Sequence, residues 1–330
     1  MNIVHIGYGH WGANVARNIT RTKDATLKAI CDMNSAQLTI AKSVFGDTLK
    51  YKNSYKSFLG DPDVDAFTLA VQTEPSFEMA KDILNAGKHL FIEKPIATNA
   101  ERALTLTNLA KEKHLILHCD HIMVYHPVIR YIKKMVDSGE LGNITNIEVL
   151  RSNLGPVRKD VNAMMDLAVH DIAVVDYLTG GMEPVSIQAT GQNMYGQQEA
   201  LTFLTLIFDN FIAQIKSSWV SPIKERITMV CGTKKMVIFD DSRNMDKLSV
   251  YNCGLEKING NDEFAFYDYK VRNGDIFVPY IPQEDALFNS IEHFVNCANT
   301  NTQSISGGEQ SVKVMKILDT ARQCMKKSHS

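Results

Sequence analysis

The stretch Met1-Asn2-Ile3-Val4-His5-Ile6-Gly7-Tyr8-Gly9-His10-Trp11-Gly12 decides the fold of this chain. An apolar run enters a GxGxxG loop, and the segment after it, about Trp11 to Thr20, reads as a helix. Twenty residues beyond Gly12 a second apolar run ends in Ala29-Ile30-Cys31-Asp32. Strand, glycine loop, helix and an acidic residue at that distance make up the dinucleotide-binding fingerprint. Gly7 permits the tight turn, Gly9 lets backbone approach a pyrophosphate, and Gly12 lets the helix pack close to the strand. The helix start offers unpaired N–H groups and a positive dipole end to the phosphates. Asp32 can accept hydrogen bonds from both hydroxyls of an adenosine ribose, whereas a 2′-phosphate would meet its negative charge. NAD is therefore expected over NADP. His10 and Trp11, inside the loop, are expected to line the cofactor pocket.

With 330 residues, the chain is long enough for two domains at about 150 residues each. Its 45% hydrophobic and 22% charged residues are those of an ordinary globular protein. A formal charge of −2 supplies no basic field to recruit nucleic acid or an anionic membrane. No apolar stretch approaches the roughly 18 residues of a membrane span. The first strand starts at the N-terminus, which leaves no room for a signal peptide, so a cytoplasmic location is expected. Six scattered cysteines without a CxxC pair read as free thiols in a reducing compartment, and no cluster has metal-ligand spacing.

Strands and helices alternate through residue 120. Ser35 to Phe45 reads as a helix capped by Asn34 or Ser35, and Ala66 to Val71 as a strand buried on both faces. A helix from Ser76 to Ala86 stops at Gly87, His89 to Ile92 is a strand, Asn99 to Lys111 a helix, and Leu115 to His118 a last strand. This rhythm predicts a Rossmann-type parallel sheet over residues 1–120. From 121 to 330 the rhythm changes. Helices are expected over Val128–Ser138 and Met165–Leu178, with a strand from Ile144 to Leu150 between them. Strands then follow one another: Val185–Thr190, Leu201–Phe208, Phe211–Ser218, Arg226–Cys231, Lys235–Phe239 and Leu248–Tyr251. Asp209-Asn210 and Gly232-Thr233 sit where hairpin turns belong. Glu256 to Asp275 reads as a long loop or a pair of edge strands, and helices over about Gln283–Asn299 and Glu309–Lys326 finish the chain. The fold expected is α/β, an N-terminal parallel sheet followed by an α/β domain with an open, mostly antiparallel sheet. The active site of such a plan lies at the carboxyl ends of the parallel strands, in the crevice between domains.

Glu93-Lys94-Pro95 follows directly on a buried strand of the first domain. An ammonium there can hydrogen-bond a reacting hydroxyl and favour the alkoxide that develops as hydride leaves. On position alone Lys94 is equally a surface lysine in a turn. Asp166 and His170 are four apart on a predicted helix, so both lie on one face, and a carboxylate beside an imidazole fixes its tautomer for general-base work. Spacing alone also describes a plain surface Asp–His pair, and Asp171, on another face, reads as structural. His121 and Tyr125 lie where the chain leaves the first domain, and Asn153, Arg158 and Asn162 precede the Asp166 helix. These five are candidates for substrate contact. Arg158 and Lys159 could hold a phosphate or carboxylate, or stand solvated in a loop.

Three signals stand in order: the glycine loop, Ala86-Gly87-Lys88-His89 running to Glu93-Lys94-Pro95, and Asp166-x-x-x-His170. Together they resemble the glucose–fructose oxidoreductase/inositol dehydrogenase (Gfo/Idh/MocA) family over nearly the whole chain. The resemblance implies a bound nicotinamide cofactor, oxidation or reduction of a sugar or cyclitol carbon, and catalytic roles for Lys94, Asp166 and His170. Val71, Gln72, Glu93 and Lys94 join the loop residues and Asp32 as expected cofactor neighbours. The run Asn153-Leu154-Gly155-Pro156-Val157-Arg158-Lys159-Asp160-Val161-Asn162, with Gly274-Asp275-Ile276, is similar to a branch associated with polysaccharide genes. That branch includes UDP-N-acetylglucosamine and UDP-N-acetylglucosaminuronate 3-dehydrogenases. Two departures stand out: Ser76 replaces a histidine that relatives carry after the third strand, and Tyr125-His126-Pro127 replaces Tyr-Asn-Pro.

The expected activity is NAD-dependent oxidation of a sugar hydroxyl, at C3 of a UDP-N-acetylhexosamine or its uronate. Its rivals are a free-sugar or inositol dehydrogenase, a reductase of 3-keto nucleotide sugars, and a non-catalytic NAD-binding regulator. Alternation over Leu201–Phe208 and Phe211–Trp219 leaves one apolar sheet face to cover, so a homodimer or homotetramer is expected.

Overall fold

The computed structural model describes all residues except 160, 197, 259–267 and 329–330, and side chains as far as residue 326. The chain divides into two compact units, Met1–His126 with Glu284–Asp319, and Pro127–Gln283 with Thr320–Ser330. The first unit thus runs six residues past the expected boundary at 120 and takes back a segment from near the end of the chain.

The first unit holds six parallel strands, β1 (Asn2–Ile6), β2 (Thr26–Cys31), β3 (Lys50–Lys52), β4 (Ala66–Leu69), β5 (His89–Glu93) and β6 (Leu117–Asp120), in the order β3-β2-β1-β4-β5-β6. Four helices alternate with them: α1 (His10–Arg21), α2 (Ser35–Phe45), α3 (Thr73–Asn85) and α4 (Ala100–Glu112). The central strand β4 is buried along its whole length, as its apolar run requires. Asn34 caps α2 by accepting from the Ala36 N–H, and Asn99 caps α4 from Arg102. Helix α3 begins three residues earlier than expected. Pro75 falls in its first turn, where no backbone N–H is needed, so the proline does not delay the start. Strand β6 begins two residues later than expected. His114 takes a left-handed conformation and the Leu115 N–H closes onto Ala110 O, so Leu115 belongs to the exit from α4. Strand β3, a three-residue edge strand, carries no pattern long enough to read.

In the second unit, helix α5 (Pro127–Asp137) is followed by strand β7 (Ile144–Leu154). A helical segment opens as a π-turn over Met164–Ala168 and continues as α6 (Val169–Leu178). Then come β8 (Ser186–Gln192), β9 (Leu201–Ile207), β10 (Ile212–Ser218), β11 (Val220–Gly232), β12 (Met236–Asp240), β13 (Leu248–Tyr251), β14 (Gly254–Lys257), β15 (Tyr269–Arg272) and β16 (Ile276–Phe277). Eight of these strands form one sheet in the order β16-β13-β12-β11-β7-β10-β9-β8, antiparallel except for the β7–β10 pair. The hairpins fall at Asp209-Asn210 and just after Gly232, and β7 runs four residues past its expected end. Within the stretch Glu256–Asp275, β14 and β15 pair as a two-stranded ribbon; its middle, 259–267, lies outside the described residues.

The closing helices are α7 (Ala286–Thr300) and α8 (Gly308–Ser328). Asp285 caps α7 by accepting from the Leu287 and Phe288 N–H groups, and it pairs with Arg21 of α1 at 3.1 Å. The α7 face of Leu287, Ile291, Phe294 and Val295 joins Ile3, Val15, Ile19 and Phe91 in the apolar core of the first unit. All six cysteines are free thiols, and no helix among the described residues is long and apolar enough to cross a membrane.

Candidate functional site

The glycine loop has the geometry its residues demand. Gly7 sits at φ 93°, and a Cβ there would come within 2.3 Å of Ala70 O and 2.8 Å of the Val71 side chain. A Cβ on Gly12 would overlap Gly7 O at 1.8 Å, so only glycine lets α1 start this close to the turn. A Cβ on Gly9 would meet nothing within 4 Å. That open space lies at the N-cap of α1, whose first turn carries no acidic side chain, and it suits the approach of a phosphate. His10 and Trp11 are exposed beside it. Asp32 follows β2; its Oδ2 accepts from the Tyr8 N–H at 2.7 Å and its Oδ1 from the Asn34 N–H at 2.8 Å. Each oxygen keeps a lone pair for a ribose hydroxyl. These features fit a dinucleotide.

His5 was not singled out by the sequence, yet it braces the turn. Its Nε2–H donates to Gly7 O at 2.8 Å, and Thr68 Oγ1 donates to its Nδ1 at 2.8 Å. Burial pushes its pKa down to about 4, so the ring is neutral and this tautomer is fixed. A histidine inside an apolar strand run gives no hint of such a partner, because Thr68 is 63 residues away.

Val71 is half-buried beside Gly7, and the exposed Gln72 is the N-cap of α3. Ser76, at the departure from the family pattern, is buried and donates its hydroxyl to Thr73 O. Glu93 and Lys94 stand at the carboxyl end of β5, both half-buried, and the Lys94–Pro95 peptide is cis. The Trp11 indole N–H donates to Glu93 Oε1 at 2.5 Å, which ties the glycine loop to the strand that carries Lys94. His121 and Tyr125 are core residues here. The Tyr125 ring stacks on His118 at 5.6 Å, and His121 Nε2 lies 3.4 Å from Ser311 Oγ.

In the second unit Asp166 sits in the π-turn and His170 at the start of α6, not both on one regular α-helix as expected. Both carboxylate oxygens of Asp166 are held: Arg158 Nη1 donates to Oδ1 at 3.1 Å, and the buried Trp219 indole to Oδ2 at 3.3 Å. Trp219 carries no local motif, since its partner lies 53 residues away. Asn162 Oδ1 accepts from the Met165 N–H at 2.9 Å and its amide donates to Glu199, so it shapes the turn that presents Asp166. Asn153 instead joins β7 to its neighbours, donating to Gly155 O and accepting from Arg226. Asp171 is buried and receives Arg151 through both Nε and Nη2, the closest contact being 2.6 Å, which bears out its structural reading. Asp160 lies outside the described residues. No group of three or more metal-ligating side chains occurs among the described residues.

Residues 1–121 match the family model "Oxidoreductase family, NAD-binding Rossmann fold", and residues 129–238 match "GFO/IDH/MocA C-terminal domain". An uncharacterised oxidoreductase, YrbE of Bacillus subtilis, is 24% identical over 97% of this chain and 93% of its own length. The UDP-N-acetylglucosamine 3-dehydrogenase of Acidithiobacillus ferrooxidans is 35% identical over 39% of this chain and 40% of its own. Its crystal structure superposes with a TM-score of 0.82 over 99% of this chain and 98% of that one, at 24% identity, which establishes the shared fold. The myo-inositol 2-dehydrogenase of Thermotoga maritima is 27% identical over 54% of this chain and 55% of its own.

Proposed function

Since the chain belongs to the Gfo/Idh/MocA oxidoreductase family, we propose that it oxidises a secondary hydroxyl of a sugar with NAD as hydride acceptor. The substrate read here is a UDP-N-acetylhexosamine or its uronate, oxidised at C3 in the making of a polysaccharide or glycan precursor. The observation that carries this reading is Lys94, set at the carboxyl end of β5 and linked through its neighbour Glu93 to Trp11 of the dinucleotide loop. His170 takes the hydroxyl proton, and Asp166, braced by Arg158 and Trp219, orients it. The Lys94 ammonium stabilises the charge that develops on the oxygen. NAD, which the Gly7–Gly12 loop and Asp32 would hold, would supply the hydride acceptor for the carbon that becomes a ketone. Arg158, exposed at the rim of the Asp166 turn, is suited to a substrate phosphate. The likeness to the UDP-N-acetylglucosamine enzyme supports the nucleotide-linked substrate. Exposed Phe203 and Ile212 on the large sheet support self-association into a dimer or tetramer, and the free thiols suit a cytoplasmic setting.

Replacing Lys94 or His170 with Ala should cut turnover by about 10²–10⁴-fold while NAD binding, followed by calorimetry, persists. Near wild-type rates in both variants would overturn the assignment. Asp32→Ala should narrow the preference for NAD over NADP, and an unchanged ratio of affinities would remove Asp32 from that role. The substrate is read by following nicotinamide absorbance with UDP-, GDP- and dTDP-sugars beside free glucose and inositol. Reduction of NAD by inositol alone would move the chain to the inositol dehydrogenase reading, which the Thermotoga relative favours.

A further inference from the structure

Strand β6 ends in a run of buried polar residues, His118, Asp120 and His121, where an edge strand of a parallel sheet ordinarily carries apolar ones. Glu93 of β5 and Asp120 of β6 are register partners in the parallel pair, so their side chains leave the sheet on the same face. A hydrogen-bonded chain ends on Asp120. Ser290 Oγ of α7 donates to Asp120 Oδ1 at 2.7 Å, and the Ser290 oxygen lies 3.0 Å from His118 Nε2. His118 Nδ1 lies 3.0 Å from Ser304 Oγ. Since the Ser290 hydroxyl proton points at Asp120, His118 Nε2–H must donate to Ser290, and Ser304 must donate to Nδ1. Burial keeps the His118 ring neutral, and its Nε2–H tautomer runs the chain in this direction. In that tautomer every donor in the chain points towards Asp120, as an anion there requires.

The other Asp120 oxygen, Oδ2, is buried, and no N–H or hydroxyl group of the described residues reaches it. The Glu93 carboxyl is within hydrogen-bonding reach of the Asp120 carboxyl, and its Oε1 already accepts from the Trp11 indole. Two ionised carboxylates in a buried contact repel, whereas one proton between them supplies the missing donor. We propose that Asp120 is a positioning residue: it shares a single proton with Glu93, and the resulting Glu93 acid is held in place against Trp11 at the start of the dinucleotide loop. Lys94 then faces one negative charge on the pair and not two.

The electrostatics agree in direction. Burial and the neighbouring carboxylate raise Glu93 well above the ordinary carboxyl range, and burial raises Asp120 to about 6. The charged and titratable groups around the pair are Lys94 and Cys119 on the two strands, Asp285 at the cap of α7, and the rings of His118, His121 and His293. Of these, Lys94 favours ionisation of the pair and Asp285 opposes it; burial keeps the His118 and His121 rings neutral. The two protons of the pair thus leave in separate steps.

The inference leans on the proposed reaction only for the importance of Lys94, and its test needs no substrate. Infrared difference spectra of the free protein at neutral pH should show a protonated-carboxyl band that Glu93→Gln removes. Asp120→Asn should weaken it, because burial still favours the acid but the neighbouring negative charge is gone. Trp11 emission, isolated by subtracting the spectrum of Trp11→Phe, should step once on the alkaline side as the shared proton leaves. That step should vanish in Glu93→Gln and move to lower pH in Asp120→Asn. If Asp120→Asn does not fold, Glu93→Gln decides alone, since its amide can still donate to Asp120 and accept from Trp11. A wild-type spectrum identical to that of Glu93→Gln in the carboxyl region, or a Trp11 step that Glu93→Gln leaves in place, would overturn the shared proton. Neither result touches sugar oxidation, which turnover of the Lys94 and His170 variants tests separately.

Discussion

Gly9 and Gly12 lie three residues apart in one loop, and their surroundings make them answer the same substitution in opposite ways. A methyl group on Gly12 runs into the backbone carbonyl of Gly7, which cannot move without opening the turn, so Gly12→Ala should cost about 1–3 kcal/mol of stability. A methyl group on Gly9 points into open space and its backbone, at φ −74°, accepts alanine. Gly9→Ala should therefore change stability by no more than about 0.5 kcal/mol yet weaken NAD by more than about tenfold, roughly 1.4 kcal/mol. Thermal midpoints and NAD titrations of the two variants separate these effects, and a Gly9→Ala protein that binds NAD normally would remove that glycine from the phosphate cradle. The two roles were legible in the sequence because the fingerprint fixes them by spacing. His5, Asp120 and Trp219 were not, because each acts through partners tens or hundreds of residues away, and sequence pattern carries only local periodicity.

At the scale of elements, sequence pattern worked where one face of a helix or strand meets one environment. Strands β9, β10 and β12 alternate more and less buried side chains and their expected ends fall within a residue of those found, whereas β11 starts six residues before its expected Arg226 and β7 overruns its expected end. It failed at α7, whose amphipathic pattern shows that a face is buried but not which sheet buries it. Leu287, Ile291, Phe294 and Val295 each contribute roughly 1.5–3 kcal/mol on burial, so together they rival the about 5–15 kcal/mol that holds a domain. All four pack in the first unit. Residues 1–126 alone should therefore show no cooperative thermal transition and no NAD binding, and joining them to 284–319 through a flexible linker should restore both. A stable, NAD-binding 1–126 fragment would show that α7 is dispensable. The π-turn at Met164–Ala168 was hidden for a different reason. Its cap, Asn162, and the Trp219 and Arg158 donors on Asp166 are side-chain contacts, which hydrophobic periodicity does not record.

For the molecule as a whole, the buried titratable groups of the first unit set how stability follows pH. His5, His118 and His121 are held neutral by burial, His5 at about 4 and His121 at about 3, against an ordinary value of 6.5. The unfolded chain takes up protons below about pH 6.5 that these folded rings refuse, so stability present above that value falls as pH drops through it. Asp120, raised to about 6, offsets part of this loss. Glu93 acts at the other end: folded, it keeps a proton that the unfolded chain releases, so stability falls as pH rises through its raised value. Urea midpoints measured from about pH 5 to about pH 9 should pass through a maximum near neutrality. Glu93→Gln should flatten the alkaline side; an acid side already flat in the wild type would contradict the neutral histidines. The return of Glu284–Asp319 to the first unit also sets a timetable for synthesis. A ribosome delivers the six parallel strands early, but the helix that covers Phe91 arrives only after the whole antiparallel sheet has emerged. The nascent chain must carry that apolar face uncovered through most of its translation, so the cofactor-binding half, first to be made, is among the last to be finished.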